Sequence, residues 1–483
     1  MEGSLRSKAL KGVSWSAIDN IAGSGIVFLV GLILARLLSP QEFGLIGMIT
    51  IFIAVSNSII NSGFSNALIR KVDASDKDYD TVFIYNLIVS LLLYLVLYAC
   101  APLISQFYNT PKLTVITRVV GIVLIFNALG IIQYTLLAKA VDFKTQAKIS
   151  IIASVGSGII GVGMAFYGFG VWSLVAQQIS RQFLNSLFLW ILNSWRPSFQ
   201  FSKRSFRELF GFGSKLMISG IIATVFQNVY YLVIGKFYTP AILGQYTRAE
   251  QFNNIFSQNL TSIVQRVSYP VLSTIQNEEE RLLVAYRKVI KITMMITFAL
   301  MLGMAAIAKP MVLALIGEKW MPAVLYLQIM CFAGMLYPLH AINLNMLQVK
   351  GRSDLFLKLE VYKKIIMILP IVLGVFLGIE YLLLGSVFTS FISFYLNSYY
   401  SAALIKYSTL QQIKDILPAF AIAFLTAIVI WPLSLLTWNN WIILFLQIAM
   451  GTIIIILLYE KSNINEYKEL KQAVMPFIQK IYK

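Results

Sequence analysis

The sequence predicts an all-α polytopic membrane protein of about fourteen transmembrane helices, with two six-helix lobes related as a parallel repeat, two further C-terminal helices, and both ends in the cytoplasm. Three observations predict it. Across 483 residues the hydrophobic fraction is 58%, the charged fraction 12% and the mean hydropathy +0.76, far from the balance of soluble domains. Apolar blocks long enough to cross about 30 Å of hydrocarbon recur from one end of the chain to the other. Lys and Arg collect in every second connection between those blocks.

In order, the blocks lie near 13–37, 42–69, 82–106, 115–138, 147–168, 170–193, 208–235, 243–274, 287–317, 323–347, 356–379, 380–405, 414–437 and 441–460. Continuous apolarity selects helices over a barrel, and in lipid each helix satisfies its own backbone hydrogen bonds. The first block is too long for a signal h-region and has no small-residue cleavage site, so it reads as a retained helix.

Orientation follows from the basic connections. Arg6, Lys8 and Lys11 precede the first block, Arg70 and Lys71 follow the second, and Lys139 and Lys144 follow the fourth. Arg196, Lys203, Arg204 and Arg207 come after the sixth; Arg287, Lys288 and Lys291 after the eighth; Lys350 and Arg352 after the tenth; Lys406 and Lys414 after the twelfth. Alternate connections, such as 167–170 and 437–441, are short and nearly uncharged. Only an even helix count puts both basic ends on one side, the cytoplasmic side. Beyond the last block, 461–483 carries Lys461, Lys468, Lys471, Lys480 and Lys483 and reads as a cytoplasmic amphipathic tail.

The formal charge of +18 comes from these scattered clusters, which form no continuous basic stripe, and nucleic acid is not an expected partner. Cys100 and Cys331 lie inside apolar blocks as small hydrophobes, and His340 stands without Cys, Asp or Glu at ligand spacing. No metal or cofactor is expected, and no Walker motif is present.

The hairpin turn Ala35-Arg36-Leu37-Leu38-Ser39-Pro40 with Gly44 returns as Gly235-Lys236-Phe237-Tyr238-Thr239-Pro240 with Gly244, and the register extends to Ser14 with Ser214 and Ser62 with Ser262. An even number of helices separates the copies, so both enter from the cytoplasm and the repeat is parallel. The implied lobes are 1–200 and 201–405, followed by 406–460 and the tail. Paired lobes are a common transporter design, with a scaffold built by duplication as the competing reading.

Ionisable side chains inside the membrane cost several kcal/mol and normally face a cavity or a partner. In the eighth block Arg248, Gln251, Asn254, Gln258, Ser262 and Arg266 recur at helical spacing, a polar face that lines water or packs as a polar seam. The sixth block aligns Gln178, Arg181 and Asn185; the seventh carries Lys215; the first carries Asp19 and Asn20; and the second offers Asn57, Asn61 and Ser65. Converging, these faces would make a wet cavity richer in cations than anions, suited to phosphate. The binding candidates are Arg181, Lys215, Arg248 and Arg266. Asp19 and Glu250 are candidates for ion coupling or for neutralising Lys215 and Arg248. Arg36, Lys236 and Lys309 read as snorkelling ends, and Glu360 with Lys364 as an intrahelical pair.

Residues 35–45, Gly63-Phe-Ser-Asn-Ala-Leu-Ile-Arg70, 101–113, Gly170-Val-Trp-Ser-Leu174 and Gly244-Gln-Tyr-Thr-Arg-Ala249 together resemble the bacterial polysaccharide transporters, the Wzx-type flippases of lipid-linked oligosaccharides, which group with the MurJ and MATE proteins. The resemblance implies a MATE/MurJ-like fold in the bacterial inner membrane. It also implies a non-enzymatic flippase that moves undecaprenyl-diphosphate-linked oligosaccharide outward for O-antigen, capsule or exopolysaccharide, alongside a glycan polymerase and export machinery. The competing readings are a MATE-like ion-coupled exporter of small molecules, a membrane-embedded polysaccharide polymerase or ligase, and a non-transporting scaffold. An exporter of cations would favour intramembrane acids over bases, and a polymerase would need outer loops longer than any here.

Overall fold

The structure is a computed structural model that describes residues 23–61, 63–462 and 464–481. Among these residues every regular element is helical and none is a strand. The chain divides into two compact units, Met1–Gly244 and Gln245–Lys483.

The first unit holds α1 (Gly23–Leu37), α2 (Pro40–Asn61), α3 (Phe64–Arg70), α4 (Asp76–Phe107), α5 (Leu113–Val120), α6 (Val123–Lys139), α7 (Phe143–Phe166), α8 (Val171–Leu192) and α9 (Lys203–Phe237). Helix α10 (Pro240–Thr274) starts there and continues into the second unit. The second unit adds α11 (Glu279–Ile316), α12 (Met321–Gly334), α13 (Tyr337–Val349), α14 (Ser353–Ile366), α15 (Ile368–Leu377), α16 (Ile379–Ile405), α17 (Thr409–Ile430), α18 (Asn440–Ser462) and α19 (Asn465–Ile481).

Ten helical stretches among the described residues are long and apolar enough to cross a membrane. Four expected blocks fall short of that measure. Block 13–37 is described only from residue 23, and α14 carries Asp354, Lys358, Glu360, Lys363 and Lys364. The other two are α8 and α10, whose apolar character is diluted by the side chains that make them candidates for function.

Four blocks read as continuous from the sequence are broken. Proline explains two of the breaks: Pro338 has no N–H for the Gly334 carbonyl, where α12 ends, and Pro370 has none for the Ile366 carbonyl, where α14 ends. Gly63 separates α2 from α3 with a left-handed φ of 68°, open to glycine at little cost. The fourth break lies at Gly121 and Ile122, between α5 and α6.

The basic connections are tied down by hydrogen bonds. Lys139 Nζ donates to the carbonyls of Lys71 at 2.6 Å and Leu68 at 3.3 Å, capping the end of α3. Lys71 reaches Asp78 and Glu208, both at 3.1 Å, and Asp78 accepts the Ser75 backbone N–H at 2.9 Å to start α4. Beside them Phe64, Tyr79, Phe83, Ile132 and Leu209 form a buried apolar cluster linking α3, α4, α6 and α9.

In the second unit Arg287 holds Asp415 through Nε at 2.8 Å and Nη2 at 3.0 Å, and Tyr407 donates to the same carboxylate at 2.6 Å. The tail helix α19 docks on α11 through Lys288–Glu469 at 2.7 Å and Lys291–Glu466 at 3.0 Å. Lys471 bonds Glu460, and that contact raises the ammonium's pKa. Glu360 bonds Lys363, three residues on, and also interacts by charge with Lys364, the partner the sequence points to. Arg352 beside Asp354 lowers that carboxyl to about 2, so it stays ionised at neutral pH.

Candidate functional site

Helix α8 is fixed from two sides. On α7, a β-carbon at Gly161 would stand 2.8 Å from Gln177 Cβ, so glycine is what allows the two helices this approach. On α6, Trp190 Nε1 donates to the Leu129 carbonyl at 2.9 Å, and Gln133 Nε2 donates to the Trp195 carbonyl at 3.0 Å. The expected polar face begins next to Gln177. Gln178, Arg181, Gln182 and Asn185 all line a pocket of about 370 Å³ between α6, α7 and α8, whose wall also includes Tyr134, Gln146 and Ser150.

The polar part of the wall is mainly amides, set beside the apolar Val123, Ile149, Ala153 and Leu189. Gln182 donates to Asn127 Oδ1 at 3.2 Å, and Asn127 in turn donates to Asn57 Oδ1 at 2.7 Å, so a hydrogen-bonded chain runs from α8 through α6 to the neutral stripe of α2. Gln146 donates to the Tyr134 carbonyl at 3.2 Å. The side chains of Gln178 and Asn185 make no hydrogen bond among the described residues and are half-buried. Arg181 is exposed on the wall of the pocket and is its one cation among the described residues.

The other candidates lie elsewhere. Lys215 is exposed on α9 and does not line this pocket. On α10, Arg248 is half-buried and donates to Gln251, whereas Gln258, Ser262 and Arg266 are exposed. The opposite side of α10 is what its own unit buries: Gln245, Phe252, Asn253, Ser257 and Ser268. Gln245 donates to the Lys319 carbonyl at 2.7 Å, and Asn345 donates to Ser268 at 3.3 Å. The stripe from Arg248 to Arg266 is therefore not a seam sealed inside the second unit.

Glu250 accepts a hydrogen bond from Tyr246 at 3.4 Å. Asp19, Asn20, Ser14 and Ser62 lie outside the described residues. Lys236 bonds the Phe107 carbonyl and sits 4.6 Å from that ring's centroid. His340 pairs with Ser390 at 3.0 Å. Gln146, Gln182, Asn127 and Tyr134 were not singled out from the sequence. Gln182 adjoins Arg181 on α8 itself, four residues after Gln178; a single amide in an apolar helix repeats at no period, and only the packing of α6 and α7 on α8 brings Gln146 and Tyr134 to this pocket and Asn127 to Gln182.

Apolar helices in this number define a multi-pass membrane protein. Residues 33–325 match the family described as "Polysaccharide biosynthesis protein", and the chain belongs to that family. It is 25% identical over 355 residues to the teichuronic acid biosynthesis protein TuaB of Bacillus subtilis, covering 73% of each chain. It is also 25% identical over 377 residues to the lipopolysaccharide biosynthesis protein WzxC of Escherichia coli, covering 77% of this chain and 76% of that one. Its fold is similar to that of the lipid II flippase MurJ in an inward closed conformation, with a TM-score of 0.75 at 15% identity over 94% of this chain and 99% of that one.

Proposed function

We propose that this protein is a flippase that carries undecaprenyl-diphosphate-linked oligosaccharide repeat units across the cytoplasmic membrane by alternating access, for O-antigen, capsule or exopolysaccharide assembly. All fourteen blocks cross in this reading, both ends are cytoplasmic, and the lobes are 1–200 and 201–405, followed by 406–460 and the tail 461–483.

The observation that carries the reading is the exposed polar face of α10 ending in Arg266, within a family of polysaccharide biosynthesis proteins. A charged, sugar-bearing headgroup cannot enter hydrocarbon unpaired, because burying an isolated charge costs far more than one binding event returns. A cationic, hydrated path removes that barrier while the polyprenyl tail stays in lipid. Lys215, Arg248 and Arg266 are proposed to take the diphosphate and Arg181 to contact the same substrate, since guanidinium groups grip phosphate and carboxylate through paired charge-assisted hydrogen bonds. Glu250 and Asp19 are the proposed coupling groups. No bond of the substrate is made or broken, so the protein is not an enzyme in this reading.

Arg266→Ala and Lys215→Ala test it. Both side chains are exposed, so the variants should reach the membrane at normal levels while surface glycan is lost. Normal surface glycan in both variants would rule out the diphosphate assignment.

A further inference from the structure

We infer that the pocket between α6, α7 and α8 is a subsite for a carboxylate-bearing sugar residue of the transported glycan, separate from the groups that hold the diphosphate. The inference rests on the flippase reading and refines it. Its volume of about 370 Å³ lies at the low end of the roughly 300–1,000 Å³ usual for small-ligand sites, enough for a sugar and too little for a repeat unit with its diphosphate.

The chemistry of the wall selects the occupant. A diphosphate calls for several converging cations, and among the described residues this pocket has one, Arg181. Around that guanidinium stand four amides, Gln146, Gln178, Gln182 and Asn185, with Tyr134 beside them. Amides both donate and accept, as sugar hydroxyls do, so they suit a polyhydroxylated ring better than an anion alone. Two of the four, Gln178 and Asn185, have side chains uncommitted to other described residues, leaving both functions of each amide for a ligand. The guanidinium adds a planar fork that matches one carboxylate. Gln182 is held by Asn127, which Asn57 fixes in turn, so part of the wall is preorganised before a ligand arrives.

Ser150 on the wall provides a reporter. In full-length protein carrying Cys100→Ser and Ser150→Cys, with Cys331 left buried, maleimide labelling of position 150 is followed with glucuronate, glucose or inorganic pyrophosphate present. Glucuronate should protect position 150 at concentrations where glucose and pyrophosphate do not. Arg181→Gln should raise the glucuronate needed by about tenfold or more, and Arg181→Lys should recover part of the loss. An unchanged labelling rate without ligand in those variants shows that the pocket is still formed. Protection by pyrophosphate would overturn the inference in favour of a diphosphate site, as would equal protection by glucose or no protection by any probe. The flippase reading is judged separately, by the transbilayer distribution of the lipid-linked glycan.

Discussion

The Pro240 carbonyl oxygen faces Gly44 so closely that a β-carbon there would stand 1.7 Å away, and the Pro40 carbonyl faces Gly244 in the same way at 1.8 Å. The two copies of the repeated turn therefore meet each other reciprocally, each proline carbonyl against the other copy's glycine. In the proposed topology both turns lie at the outer face of the membrane.

Gly44→Ala and Gly244→Ala should each destabilise the protein by at least about 1–3 kcal/mol, because the obstructing atoms are backbone and cannot rotate aside. Gly163→Ala, where nothing lies within 4 Å, should be neutral or slightly stabilising through helix propensity. Thermal unfolding in detergent checks all three. Equal midpoints would show that the turns do not touch.

The second unit centres a buried polar network on Asn343. Its Oδ1 accepts from Tyr286 at 2.9 Å, Ser401 at 2.7 Å and Gln412 at 3.1 Å, and its Nδ2 donates to the Leu339 carbonyl at 3.0 Å. Asn343→Leu keeps the approximate volume and strands three donors, at a cost of roughly 1–3 kcal/mol for each group left unsatisfied. A lowered midpoint together with reduced protein in the membrane is expected. A midpoint unchanged from the parent would mean that the donors find other partners.

Asp415 joins α17 to α11 through Arg287 and also accepts from Tyr407. Asp415→Asn removes the charge and should cost about 1.5–3 kcal/mol, the usual worth of hydrogen bonds to a charged group. Arg287→Lys should lose only part of that, since an ammonium cannot make the paired contact. Detergent melts of the two variants check the order. Equal losses would contradict a role for the guanidinium fork.

Much of this architecture was legible because the membrane imposes it locally. A run of apolar residues has to be a helix, and Pro40 with Gly44 recurring as Pro240 with Gly244 announced a duplicated turn before any contact was visible. The helix breaks were less legible, because Pro338 and Pro370 act on carbonyls one turn upstream, inside stretches that remain apolar. For the site, spacing aligned Gln178, Arg181 and Asn185 on one face of α8, since helical period is a local property. Gln146 and Asn127 reach that face from other helices, and nothing in a linear pattern records which helices will pack together. The same limit applied to α10, where the polar stripe was evident and its exposure was decided by tertiary packing.

The central claim is outward movement of a lipid-linked glycan, and the most direct measurement is leaflet-specific labelling of carrier-linked sugar in cells depleted of this protein. The account predicts that complete repeat units accumulate facing the cytoplasm while surface polysaccharide falls, and that restoring the protein reverses both. Outer-leaflet units that form normally but stay unpolymerised, or pools that do not change, would contradict it.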